Sequence, residues 1–276
     1  MKTKFLLFTC ILFCGIVALT NCNQKKQYRP DAKIITAFNT KYPQANKVEW
    51  EPKQGYQVAE FHDNSTETEA WFDNNGKLLM TKNNLKYNNL PQAIQDHFEK
   101  SIYSNWKKQD IDKIVRAGMS AVYIVEVEKE GQDTDLYYNE NGSLVKTLND
   151  ISKENPHYYQ PVSPVISDII TQKYPEATII EMDTDKAKLE IDILDGGKNK
   201  KVIFNGDNWV STSWEVNKSE VPNAVMEAFR KSVYGKYRID DIHFYETPTT
   251  SYYLFDLEQG NSEAHLAIDT NGKIIQ

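Results

Sequence analysis

Apolar and polar residues alternate along this chain with two different periods, and the period switches at regular intervals. In "KLEIDIL" (188–194), Leu189, Ile191 and Ile193 alternate with Lys188, Glu190 and Asp192. Successive strand side chains point to opposite faces, so this segment predicts a strand with one dry and one wet face. "YYLFDLE" (252–258) repeats the pattern, with Tyr253, Phe255 and Leu257 inward. In "VPNAVMEAFRKSVY" (221–234), Val221, Val225, Ala228, Phe229 and Val233 fall instead at helical spacing, and Pro222 suits a first turn. Val165, Ile166, Ile169 and Ile170 do the same until Pro175 stops that helix.

Between apolar stretches one phrase recurs: "EAWFDNNGKLLMT" (69–81), "DLYYNENGSLVKT" (135–147), "KVIFNGDNWVST" (201–212) and "HLAIDTNGKIIQ" (265–276). Asn, Asp and Gly supply the left-handed backbone angles of tight hairpins, so each phrase reads as two short antiparallel strands around a turn. Longer landmarks repeat at one shift. "KYPQA" (41–45) returns as "KYPEA" (173–177), and "FEKSIYSNW" (98–106) lies over "FRKSVYGKY" (229–237). The chain is thus an internal duplication, and each half divides again. Four units result, near 31–81, 88–147, 162–214 and 220–276, each a helix followed by strands. Helices on one face of an antiparallel sheet make the expected class α+β. The expected layout is a first domain at 31–148, a linker at 149–161 and a second domain at 162–276.

A helix ending in "KYPxA", the "VEW" strand (48–50), the "YQVAEF" strand (56–61) and "AWFDNNGKLL" (70–79) together resemble the PepSY-like family, also described as β-lactamase-inhibitor-like. The resemblance covers nearly all of the chain after its leader; units 3 and 4 depart from the phrase, since "VIFNGDNW" has no Trp-Phe-Asp. It implies tandem helix-on-sheet domains, exported by Gram-negative bacteria and binding or inhibiting other envelope proteins. The shared motifs mark strands and turns and carry no chemistry of their own.

The amino terminus agrees with export. Lys2 and Lys4 precede "FLLFTCILFCGIVAL" (5–19), an apolar run short for a membrane span and suited to a signal core. "LTNC" (19–22) then resembles a lipoprotein cleavage box with Cys22 as the lipidated residue, although Asn21 departs from the usual small residue, and ordinary cleavage to a soluble secreted protein is the alternative. Residues 1–22 are read as signal peptide and 23–30 as tether, with any membrane attachment coming from lipid on Cys22. All three cysteines lie in this leader, so the rest holds neither disulfide nor thiol chemistry. Beyond it, 30 basic side chains face 39 acidic ones, a net charge near −9. Without a basic run, that balance argues against nucleic acid as partner.

Recognisable catalytic patterns are missing. His62, His97, His157, His243 and His265 show no metal-binding spacing, and neither a nucleophile elbow nor a phosphate loop is present. "DNNG" and "DTNG" read as turns rather than calcium loops, since the downstream glutamate is absent. No enzyme and no cofactor are expected. The aromatics say more: Trp71 and Phe72 must face opposite sides of their sheet, as must Tyr252 and Tyr253, and Tyr137 and Tyr138. This suggests an aromatic patch on an open sheet face, made of Trp50, Tyr56, Trp71, Tyr137 and Tyr252, set against the alternative that these rings fill an interface between the halves. The leading function is a protein- or peptide-binding module of the cell envelope, with inhibition as one outcome. A small-molecule or glycan carrier using a cleft between the halves is the alternative, and an enzyme ranks behind both.

Overall fold

The computed structural model describes residues 28–149, 160–186 and 188–275. The expected signal segment, Cys22 and most of the expected linker lie outside these residues. Helix α1 (Ala32–Lys41) is followed by β1 (Asn46–Lys53), β2 (Tyr56–Asp63), β3 (Thr66–Phe72) and β4 (Leu78–Asn84). Helix α2 (Gln92–Lys100) is followed by β5 (Lys107–Arg116), β6 (Val122–Lys129), β7 (Gln132–Asn139) and β8 (Leu144–Asn149). These eight strands form one antiparallel sheet in sequence order.

The second half repeats the plan. Helix α3 (Pro164–Lys173) leads to β9 (Thr178–Asp185), β10 (Lys188–Asp195), β11 (Lys198–Asn205) and β12 (Asn208–Glu215). Helix α4 (Asn223–Lys231) leads to β13 (Arg238–Glu246), β14 (Ser251–Gln259) and β15 (Ser262–Asp269). The second sheet has seven strands, again in order. The segment after the last turn makes only a single bridge, Ile274 to Ile268, rather than a full strand.

The recurring phrase has one geometry in three of its four copies. Asp73 Oδ1 accepts hydrogen bonds from the backbone N–H groups of Asn75 and Lys77 at 2.8 and 2.9 Å. Asn139 Oδ1 accepts from Asn141 and Ser143, and Asp269 Oδ1 from Asn271 and Lys273. The glycine of each turn has a positive φ and lies against its unit's helix at an alanine: Gly76 at Ala37, Gly142 at Ala93, Gly272 at Ala224. The Asx side chain closes the turn and the missing Cβ lets it sit on the helix. The third copy turns differently, with Gly206 in open space.

Each helix buries one apolar stripe on its sheet. Ile34 and Phe38 of α1 pack on Ala59, Phe61, Ala70 and Phe72. Ile94 and Phe98 of α2 pack with Val125, Leu136 and Tyr138, and Val225 and Phe229 of α4 with Phe255 and Leu266. Helix α3 starts at a cap, Ser163 Oγ accepting from Ile166 N–H, and ends before Pro175. Helix α4 is shorter than its apolar spacing predicts. Ser232 turns extended, its hydroxyl donates to Phe229 O at 2.7 Å, and Val233 lies past the end in solvent.

Between the halves lies a shared core. Val58, Trp71, Met80, Ile114, Ile124 and Tyr137 of the first sheet join one apolar cluster with Ile166, Ile170, Tyr174, Ile180 and Met182 of the second half. Ser167 Oγ donates to Ala117 O at 3.1 Å, and Lys146 of β8 pairs with Glu181 of β9. The second half therefore seals the side of the first sheet that α1 leaves free.

Candidate functional site

The five rings proposed for one open patch lie in three places. Trp50 pairs across strands with Ala59, which pairs with Ala70, so it falls on the α1 side and meets Phe38 edge-on at 5.2 Å. Trp71 pairs with Val58 and Met80 on the opposite side, with Tyr56 6.1 Å from its ring. That side is sealed: Trp71 is 4% and Tyr137 2% exposed. The exposed first-sheet patch is thereby corrected in favour of its alternative: Tyr56, Trp71 and Tyr137 fill the junction between the halves, while Trp50 packs under α1. Tyr252 belongs to the second sheet and lies apart from the other four.

The second sheet keeps one face open. Its inward set, Ile191, Ile193, Phe255 and Leu257, is buried under α3 and α4. The alternate residues form a cross-strand row, Glu181, Asp192, Lys201, Ser213, Tyr245, Tyr252 and Asp269. At its centre Tyr245 and Tyr252 stack in parallel, centroids 5.0 Å apart and planes 1° apart. Both are half-buried, and Lys201, Glu215 and His265 around them are exposed. Periodicity did not single out Tyr245, although its direct pairing with Tyr252 was open to a register argument.

Carboxylates share this face. Asp256 is 2.7 Å from His265 Nδ1 and 3.9 Å from His243 Nδ1, while Glu190 holds Lys201. Beside Tyr245 a shallow cleft of about 560 Å³ is lined by Lys146 of the first half and by Ile180, Asp192, Lys201 and His243 of the second. Burial, and then the neighbouring Tyr245, raise the Tyr252 hydroxyl above its ordinary value. Among the described residues no group of three or more His, Cys, Asp and Glu is arranged to hold a metal ion. His97 packs against Tyr138 at 5.5 Å, a structural role.

A second ionisable group is buried in the first sheet. Beyond Ile124 the sealed side turns polar: Asp112 faces Lys82 at 3.0 Å, and Asp135 stands directly opposite Glu126. Asp112 Oδ1 is buried with no hydrogen-bond partner. Burial pushes the Asp112 carboxyl up to about 6 and that of Asp135 to about 7, with the Glu126 and Asp112 charges adding to the latter. A carboxyl raised in the folded state holds its proton there while the unfolded chain has already released it. Stability is therefore present at acid pH and is lost as pH rises from about 4 to about 7. Asp135→Asn removes that cost, so we expect the variant to be more stable than the parent by about 1–3 kcal/mol at alkaline pH, with the gap closing under acid conditions. Urea unfolding on both sides of the window measures this; a gap independent of pH would contradict it.

The family model described as "Putative beta-lactamase-inhibitor-like, PepSY-like" matches residues 54–146 and 187–276. A BLIP-like protein from Bacteroides fragilis is 33% identical, the match covering 49% of this chain and 96% of that one, with a TM-score of 0.45. A DUF2874 family protein from Bacteroides ovatus is 26% identical over 46% of this chain and 93% of that one, TM-score 0.43. A protein from Bacteroides eggerthii described as "putative periplasmic" is 19% identical over 46% and 94%, TM-score 0.43. Each of these solved chains spans about half of this one. No curated protein matches the chain.

Proposed function

Because the chain belongs to the PepSY-like, β-lactamase-inhibitor-like family, we propose that it is a non-catalytic binding module of the cell envelope that grips a protein or peptide on the open face of its second sheet. In this reading the chain is two tandem domains, 31–148 and 162–276, built from four helix-plus-strands units with their helices on one face of each sheet. It is exported through its leader, is periplasmic or held at a membrane by lipid on Cys22, and takes no nucleic acid and no cofactor. No described helix is long and apolar enough to cross a membrane, and a similar protein carries a periplasmic description.

One observation carries the reading: a parallel Tyr245–Tyr252 stack stands on a solvent-open sheet face that also carries Asp192, Glu215, Asp241 and Asp256. Paired tyrosines offer large, rigid contact area at low entropic cost, which suits recognition of another chain. Asp192, Glu215, Asp241 and Asp256 on the same face favour a partner with lysine or arginine beside apolar residues. Inhibition would follow if that partner's own active surface were covered.

The test is fluorescence polarisation with extended basic and acidic peptides that share the same apolar residues. Basic peptides should bind, and Tyr245→Ala/Tyr252→Ala should weaken them at least about tenfold, as for a central aromatic anchor. Equal binding of both peptide classes, or no effect of the double change, would remove the open face from recognition. The carrier alternative draws on the cleft that joins Lys146 to His243 and Tyr245. Oligosaccharides or small molecules titrated into the same protein, bound with peptides excluded, would favour it.

A further inference from the structure

The loops that follow α2 and α4 are near-copies that hold an aliphatic side chain out into water. Val233 is 89% and Ile102 80% exposed, the two most exposed large apolar residues among those described. Neither loop is loose. Ser101 Oγ donates to Phe98 O at 2.7 Å and accepts from Tyr103 N–H at 3.1 Å; Ser232 makes the same two bonds to Phe229 and Tyr234 at the same distances. Tyr103 meets Trp106 edge-on at 5.1 Å, and Tyr234 meets Tyr237 edge-on at 5.3 Å. Thus two places in the fold build one device: a serine-closed turn, an aromatic pair beneath, and Ile or Val at the tip.

Both loops are basic. "KSIYSNWKK" (100–108) carries three lysines and no acid, and "RKSVYGKYR" (230–238) two arginines, two lysines and no acid, in a chain with an excess of carboxylates. Lys100, Lys107, Arg230, Lys231, Lys236 and Arg238 are all exposed. Lys231 pairs with Glu227 and Arg238 with Asp240 and Glu258, while Glu99 is engaged by Tyr87. In units 1 and 3 the corresponding turn is "KYP", and there Tyr174 is buried and Tyr42 packs on Phe38 and Phe61.

We propose that these two loops are contact tips for an anionic phospholipid surface. A lone protruding aliphatic side chain needs no shaped pocket when it enters lipid, whereas a protein partner would have to supply one. Tyr and Trp are favoured at the level of the headgroups, and exposed Lys and Arg are drawn to a negative bilayer surface. Such tips would orient the chain on a membrane independently of any acyl chain, a function distinct from recognition on the open face of the second sheet.

The test uses residues 23–276, which contain every described element and neither Cys22 nor the apolar leader. Co-sedimentation is measured with vesicles of phosphatidylcholine alone and of equal parts phosphatidylcholine and phosphatidylglycerol. The parent protein should pellet with the anionic vesicles and do so less as salt is raised. Ile102→Asp/Val233→Asp should bind at least about tenfold more weakly while keeping the parent's thermal midpoint, since both side chains are already in water. Ile102→Ser/Val233→Ser, which adds no charge, should fall between. Failure of the parent to pellet, or equal pelleting of the Asp variant, overturns the proposal. So does binding to polyglutamate with none to anionic vesicles, which would assign the tips to an acidic protein.

Discussion

Trp71→Ala should destabilise the entire chain by about 3–5 kcal/mol, the range for deleting a large buried aromatic side chain. The indole stands at the centre of the junction: it pairs across strands with Val58 and Met80, touches Tyr56, and its Nε1 donates to Glu69 at 3.2 Å. Truncation leaves a void that well-packed neighbours from both halves cannot close. Because Ile166, Ile170 and Met182 belong to the same cluster, the loss should spread into the second half. Hydrogen exchange in α3 should quicken together with that of β3, and denaturant unfolding should move as one transition. A loss under about 1 kcal/mol, confined to the first sheet, would contradict a shared core. This is also why Trp71 is unsuited to probe binding: any effect on capture would reflect the fold.

Gly142→Ala should cost a comparable amount, on the order of 3–5 kcal/mol, by another route. The residue has φ +84°, where a Cβ is disfavoured by about 1–2 kcal/mol. That Cβ would also lie 2.6 Å from the Ala93 carbonyl, forcing the β7–β8 hairpin off α2 or straining both. The repeats supply a graded series. At Gly272 the nearest atom is 2.9 Å away and at Gly76 3.4 Å, while Gly55, at the same φ of +88° as Gly76, has nothing within 4 Å. Destabilisation should therefore fall in the order Gly142, Gly272, Gly76, Gly55, with Gly55→Ala reporting the backbone cost alone. Thermal unfolding of the four variants would check this, and equal losses would show that close approach to the helix is not what the glycine serves.

Local chemistry was the legible part of this chain. The Asx–Gly phrase reads as a turn because its hydrogen bonds close within five residues, and the structure gives those bonds at Asp73, Asn139 and Asp269. Strict alternation placed Phe72 and Trp71, and Tyr253 and Tyr252, on opposite faces, where they stand. What sits against a face is not local. Trp50 was grouped with Trp71, but register puts it opposite Ala59, and a bulge between Asn46 and Glu49 precedes it. Alternation leaves the first sheet's aromatic face either open or filled by the other half, and only tertiary packing decides for the second half upon it. Val233 fitted the helical period of α4 until Ser232 folded back on Phe229, a serine cap that spacing alone does not reveal.

The second half seals the aromatic face of the first sheet and leaves the tyrosine stack of the second sheet as the open one. Hydroxyl-radical footprinting of the native protein, read residue by residue by mass spectrometry, tests it most directly. Tyr245 and Tyr252 should be modified readily, while Trp71 and Tyr137 stay protected until the chain is unfolded. Trp71 and Tyr137 labelled in the native state as fast as Tyr252 would contradict the account.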